Sequence, residues 1–97
     1  MDKKIKTQYS RAEEVGKLIA QYIKDNDYHD RNTLVTVTEV KLNEKLDLAK
    51  VFLSVYPEEK IIPVFSKIQD DRRSIQTYIN KKLACRFAPR IELNLEM

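Results

Sequence analysis

The sequence predicts an α+β fold, a single domain of order αββααβ with a three-stranded sheet packed against helices, and three observations carry that prediction. Apolar residues recur at helical spacing over 12–23 and again over 75–83. They alternate with polar residues over 49–56 and 91–95, as strands with one buried face do. Pro57 and Pro89 fall at the boundaries of these stretches. At 97 residues, 42% apolar and 34% charged, the chain has the size and balance of one globular domain.

Each element has its own justification. Residues 1–9, with Lys3, Lys4 and Lys6, are expected to form a flexible basic arm ahead of a domain over 10–97. Ser10 and Glu13 match a capping box, which places the start of the first helix at Ser10. Ala12, Val15, Leu18, Ile19, Tyr22 and Ile23 form its packing face, and Asn and Asp at 25–27 end it. Leu34–Leu42 is rich in Val and Thr and suits a strand. Val35 and Val37 are out of phase with Val40 and Leu42, so a bulge is expected near Thr38-Glu39. After a polar turn at 43–45, Ala49, Val51, Leu53 and Val55 supply the inner face of a second strand, with Phe52 and Tyr56 on the other.

The second half follows the same logic. Pro57 stops the strand, and Ile61, Ile62, Val64, Phe65 and Ile68 make a short second helix with Pro63 in its first turn. Asp70-Asp71 can cap a third helix that turns Ile75, Tyr78, Ile79 and Leu83 inward and Arg73, Gln76, Asn80 and Lys81 to solvent. Lys82 falls in the apolar stripe, with its stem expected to snorkel over the core. Ile91, Leu93 and Leu95 then alternate as a last strand.

Composition excludes several kinds of chemistry. One glycine, Gly16, leaves no phosphate-cradling loop or dinucleotide fingerprint. One Cys85 and one His29 give neither a disulfide nor a zinc site, and no cofactor is expected. Cys85 reads as a small apolar residue and His29 as a loop histidine without a nucleophile beside it. Glu13-Glu14 and Glu58-Glu59 are explained by the macrodipole at helix starts, without catalysis. No apolar run approaches a membrane span and the first ten residues carry no signal core, so a cytoplasmic protein is expected.

Charge is unevenly distributed. From Lys60 to Arg90 there are eight basic residues against Asp70 and Asp71, a net of +6, whereas the first 59 residues carry ten basic and eleven acidic groups, a net of −1. The last seven add Glu92 and Glu96, a net of −2. A basic cluster of this kind suits a phosphate backbone, although a merely solvated helix face has the same composition. Arg72, Arg73, Lys81, Lys82, Arg86 and Arg90 are the candidate RNA contacts, with Lys3, Lys4, Lys6, Arg11 and Lys67 as additional ones. Phe87 and Tyr78 are expected in the core rather than stacked on bases.

The strand pair Val35-Thr36-Val37-Thr38-Glu39-Val40 and Asp47-Leu48-Ala49-Lys50-Val51-Phe52-Leu53-Ser54-Val55 resembles that of the ribosome-binding factor A family. So do Ile79-Asn80-Lys81-Lys82-Leu83 and the turn and strand Arg86-Phe87-Ala88-Pro89-Arg90-Ile91-Glu92-Leu93. The resemblance covers roughly residues 10 to 95. It implies a type II KH-like fold and a non-catalytic factor that binds the immature small (30S) ribosomal subunit and its 16S rRNA. It further implies assistance in late maturation, often under cold stress, by a monomer with an assembly GTPase as a further partner. The family's Ala-x-Gly kink between helices two and three is replaced here by Asp71-Arg72-Arg73, so a longer turn through Gln69 to Arg72 and a re-aimed third helix are expected. No Gly-x-x-Gly loop is available to clamp single strands, which leaves side-chain contacts to structured RNA. A core-only member without the family's C-terminal extension is implied.

A protein-protein adaptor of the same topology is the competing function, with the sheet face or a strand edge as its interface. Salt-sensitive binding separates the two. No triad, carboxylate pair or metal set supports a hydrolase.

Overall fold

Helix α1 runs Lys3–Asn26, starting well before Ser10. No proline or glycine interrupts Lys3 to Ser10, and lysine and glutamine are good helix formers, so the capping-box pattern at Ser10 falls inside it. The expected arm is therefore partly helical, and Glu13-Glu14 lie in the helix interior rather than at its start. The structure, a computed structural model, describes residues 3–26, 32–83 and 88–96, with side chains from Arg11 onward. At the far end of α1 the Asn26 side-chain amide donates to the Tyr22 carbonyl at 2.8 Å, satisfying one of the orphan acceptors there.

Strands β1 (Leu34–Leu42) and β2 (Leu48–Tyr56) form an antiparallel hairpin whose register slips between Val37 and Glu39. That slip is the bulge the hydrophobic phase demands. It lets Val35 and Val37 before it, and Val40 and Leu42 after it, all pack against the core. Asn43 closes the hairpin: its Oδ1 accepts the amides of Asp47 and Leu48 at 2.9 and 3.1 Å, and Leu46 turns the chain at φ 59°.

After a cis Tyr56-Pro57 bond and a single 3₁₀ turn over Glu58–Lys60, helix α2 spans Ile61–Asp70 and helix α3 spans Arg72–Lys82. The junction is one residue, Asp71, at φ −93° and ψ 11°. The expected longer turn is absent. A negative φ accommodates a side chain, so no glycine is required here. Asp71 occupies the N-cap of α3 without a side-chain capping bond, contrary to the sequence expectation; the helix closes through the Asp71 carbonyl, which accepts the Ile75 amide at 3.0 Å.

Strand β3 (Arg90–Leu95) lies parallel to β2, giving the sheet order β1-β2-β3. All three helices cover one face. There Val15, Ile19 and Ile23 of α1 meet Ala49, Val51 and Leu53 of β2, Val64 and Ile68 of α2, Ile75 and Ile79 of α3, and Ile91 and Leu93 of β3. Tyr22 and Tyr78 pack edge to face at 5.3 Å where α1 and α3 meet, so Tyr78 belongs to the core margin as expected. No helix among the described residues is long and apolar enough to cross a membrane.

Candidate nucleic-acid interface

The α2–α3 junction and the outer edge of β3 enclose a cleft of about 320 Å³, lined by Gln69, Arg72 and residues 90–93. Sequence places Arg72 and Arg90 far apart; the fold brings both to this cleft. Arg72 arrives as the first residue of α3, immediately after the one-residue junction. Arg90 arrives as the first residue of β3, where its amide donates to the Asp47 carbonyl at 2.9 Å. Both side chains are exposed. Glu92 also lines the cleft and is half-buried, its Oε2 accepting from the Asn94 amide at 3.2 Å.

One residue that sequence reasoning assigned to solvent fixes this geometry. Gln76, one turn along α3 from Arg72, is partly buried; its Nε2 donates to the Pro89 carbonyl at 2.9 Å and its Oε1 accepts the Ile91 amide at 2.8 Å. The two bonds bracket Arg90 and clamp the start of β3 to α3. Only the placement of β3 beside α3 reveals this role, because on a helical wheel Gln76 is a polar residue among polar residues.

The remaining candidates divide by face. Arg73 and Lys81 are eight residues apart on α3 and share its outward side, separated by about 12 Å along the axis. Lys82 is exposed too and does not line the cleft. Lys67 is exposed in the last turn of α2. Arg11 stands on α1, does not line the cleft, and pairs with Glu14 at 3.8 Å. Lys3, Lys4 and Lys6 have helical backbone in α1, with side chains outside the described set; Arg86, Phe87, Cys85 and His29 lie outside the described residues altogether. Among the described residues no group of three or more His, Cys, Asp or Glu could hold a metal ion.

The order αββααβ, with a three-stranded sheet packed against three helices, defines the α+β class of this domain. Within that class the chain belongs to the ribosome-binding factor A family, whose model matches residues 4–96. Ribosome-binding factor A of Thermodesulfovibrio yellowstonii is 34% identical over 80 residues, covering 82% of this chain, and the chain spans 64% of the length of that relative. The crystal structure of ribosome-binding factor A from Thermus thermophilus superposes with a TM-score of 0.73 at 18% identity, over 91% of this chain and 93% of that one. A coordinate set for the Thermus thermophilus protein, fitted into a cryo-EM map of its complex with the 30S subunit, matches with a TM-score of 0.64 at 20% identity, over 82% and 85% of the two chains.

Proposed function

We propose that this chain binds the immature 30S ribosomal subunit through 16S rRNA and assists its late maturation by binding rather than by catalysis. The observation that carries this reading is the convergence of Arg72 and Arg90 on one cleft, with Arg73 and Lys81 on the adjacent outward face of α3. Guanidinium groups suit bidentate phosphate contacts, and both cleft arginines belong to the chain's most basic stretch, net +6 over 60–90. The outer edge of β3 adds backbone groups beside the cleft, since only its other edge pairs with β2. The Thermus thermophilus relative seen on a 30S subunit supports the choice of partner.

Under this reading the protein works as a cytoplasmic monomer, needs no cofactor, serves in cold adaptation and has an assembly GTPase as a further partner. Lys82 and Arg86 are further RNA contacts in this reading, with Lys3, Lys4, Lys6, Arg11 and Lys67 as additional ones. The testing experiment is sedimentation of purified protein with immature and mature small subunits at low and moderate salt. Salt-sensitive travel with the immature pool is expected. Absence from both pools at low salt would overturn the proposal and favour a protein-protein adaptor.

A further inference from the structure

The helices leave the second face of the sheet uncovered, and its residues do not look like inert solvated surface. Phe52 sits half-buried at its centre with the Lys41 ammonium 5.5 Å from the ring centroid. Lys41 and Lys50 stand directly opposite each other across β1 and β2, a like-charge pairing that disfavours the sheet. Neither lysine is well compensated. Glu39 approaches Lys41 only to 4.0 Å, at an exposed pair worth little. Lys50 faces Glu92 in register on β3, yet forms no ion pair among the described residues, while the Glu92 carboxylate accepts from Asn94 instead. Tyr56 ends the same row of β2, 70% exposed. Arg90 occupies the same outward register on β3 as Glu92 and also lines the cleft, so this face and the cleft are continuous.

We infer that this sheet face is a second contact surface for single-stranded RNA: Phe52 stacks an unpaired base, and Lys41 and Lys50 together take a flanking phosphate. An aromatic platform beside a close pair of cations matches the base-and-phosphate repeat of a nucleic acid strand. Lys41 covers the ring in the free protein and swings to phosphate when a base replaces it. The phosphate in turn relieves the Lys41–Lys50 repulsion, so bound RNA removes a strain that the free sheet carries. The inference rests on the RNA-binding reading for its ligand class and adds a separate face to it.

The test titrates isotope-labelled full chain with a short oligouridylate and follows its amide resonances. Two face variants, Phe52→Leu and Lys41→Gln/Lys50→Gln, are compared with a helix variant, Arg72→Ala/Arg73→Ala, which removes one of the cleft's two cations and a cation of the adjacent face of α3. Leucine keeps the apolar body of residue 52, and unchanged spectral dispersion reports an intact fold. Resonance shifts are expected at Lys41, Lys50, Phe52 and Tyr56. Affinity should fall about tenfold for Phe52→Leu, the loss of roughly one stacked base. For the double lysine variant, the slope of log affinity against log salt should shrink by about 0.7, the value for one phosphate contact on a single strand.

Loss in the helix variant with wild-type affinity in both face variants overturns this inference and leaves the cleft reading standing. Loss in the face variants alone supports it and overturns the cleft reading. Loss in all three supports both. If RNA leaves the face resonances unmoved while a small-subunit protein crosslinks to Tyr56, the occupant is protein and the inference is wrong.

Discussion

Gln76 shows how much of the interface depends on one uncharged side chain. Its amide donates to Pro89 O and accepts from Ile91 N, so it supplies both halves of a backbone-like bridge between α3 and the first residues of β3. Gln76→Met keeps length and bulk but neither bond. The partly buried Ile91 amide and Pro89 carbonyl then lose their partners, and stability should fall by about 2 kcal/mol, from ~1 kcal/mol per broken bond. In a domain of this size that lowers the thermal midpoint by roughly 10 °C, measurable by circular dichroism. RNA affinity should fall with it at temperatures where the variant is still folded, because Arg90 lies between the two clamped residues. A variant as stable as the parent would show that β3 is held by its pairing to β2 alone. Asp71 makes the complementary point at the junction. The departure from a small-residue kink was legible in the sequence, but its consequence was not, because a bridge-region φ of −93° needs no glycine and leaves the turn one residue long.

At the scale of elements the hydrophobic phase was the most informative signal. The conflict between Val35-Val37 and Val40-Leu42 located the bulge, since a half-buried strand tolerates a phase change only by inserting a residue. The start of α1 was misplaced because a capping pattern states only where a helix can begin; Lys3 to Tyr9 contains nothing that stops one. The hairpin turn was placed, but not the double acceptance by Asn43 Oδ1 that sets it. Asn43→Ala should remove both bonds and destabilise the domain by about 1–2 kcal/mol in urea unfolding, with an unchanged denaturant slope. Gly16 offers the opposite change. It lies inside α1, and a Cβ there would meet Val40 Cγ2 at 3.4 Å and Val37 Cγ1 at 3.9 Å, ordinary contact distances. Gly16→Ala should therefore stabilise by about 0.5–1 kcal/mol, through helix propensity and the added packing on β1. A destabilised Gly16→Ala protein would mean that the packing of α1 on β1 does not accommodate the added methyl group.

For the molecule as a whole, the question is whether its charge acts by total or by position. The chain carries only +3 in sum, yet residues 60–90 hold +6 and the first 59 residues hold −1. The fold turns that polarity along the chain into polarity in space, because α2, α3 and the start of β3 meet at one cleft while α1 and most of the hairpin lie elsewhere. Two sets of substitutions remove the same charge from different places. Arg72→Ala, Arg73→Ala and Lys81→Ala together remove one of the cleft's two arginines and the cations on the outward face of α3. Lys17→Ala, Lys24→Ala and Lys45→Ala together strip exposed lysines from α1 and the hairpin turn. If rRNA is held by located phosphate contacts, the first set weakens binding to immature subunits across RNA sequences and reduces the salt slope by about one unit for each phosphate no longer neutralised. The second set, with an equal change in net charge, should leave both affinity and slope near the parent values, since exposed charges farther away than a Debye length of about 8 Å are largely screened at physiological salt. Equal losses in the two sets would mean that the protein is attracted by its overall field, and the cleft would then have no privileged part in binding.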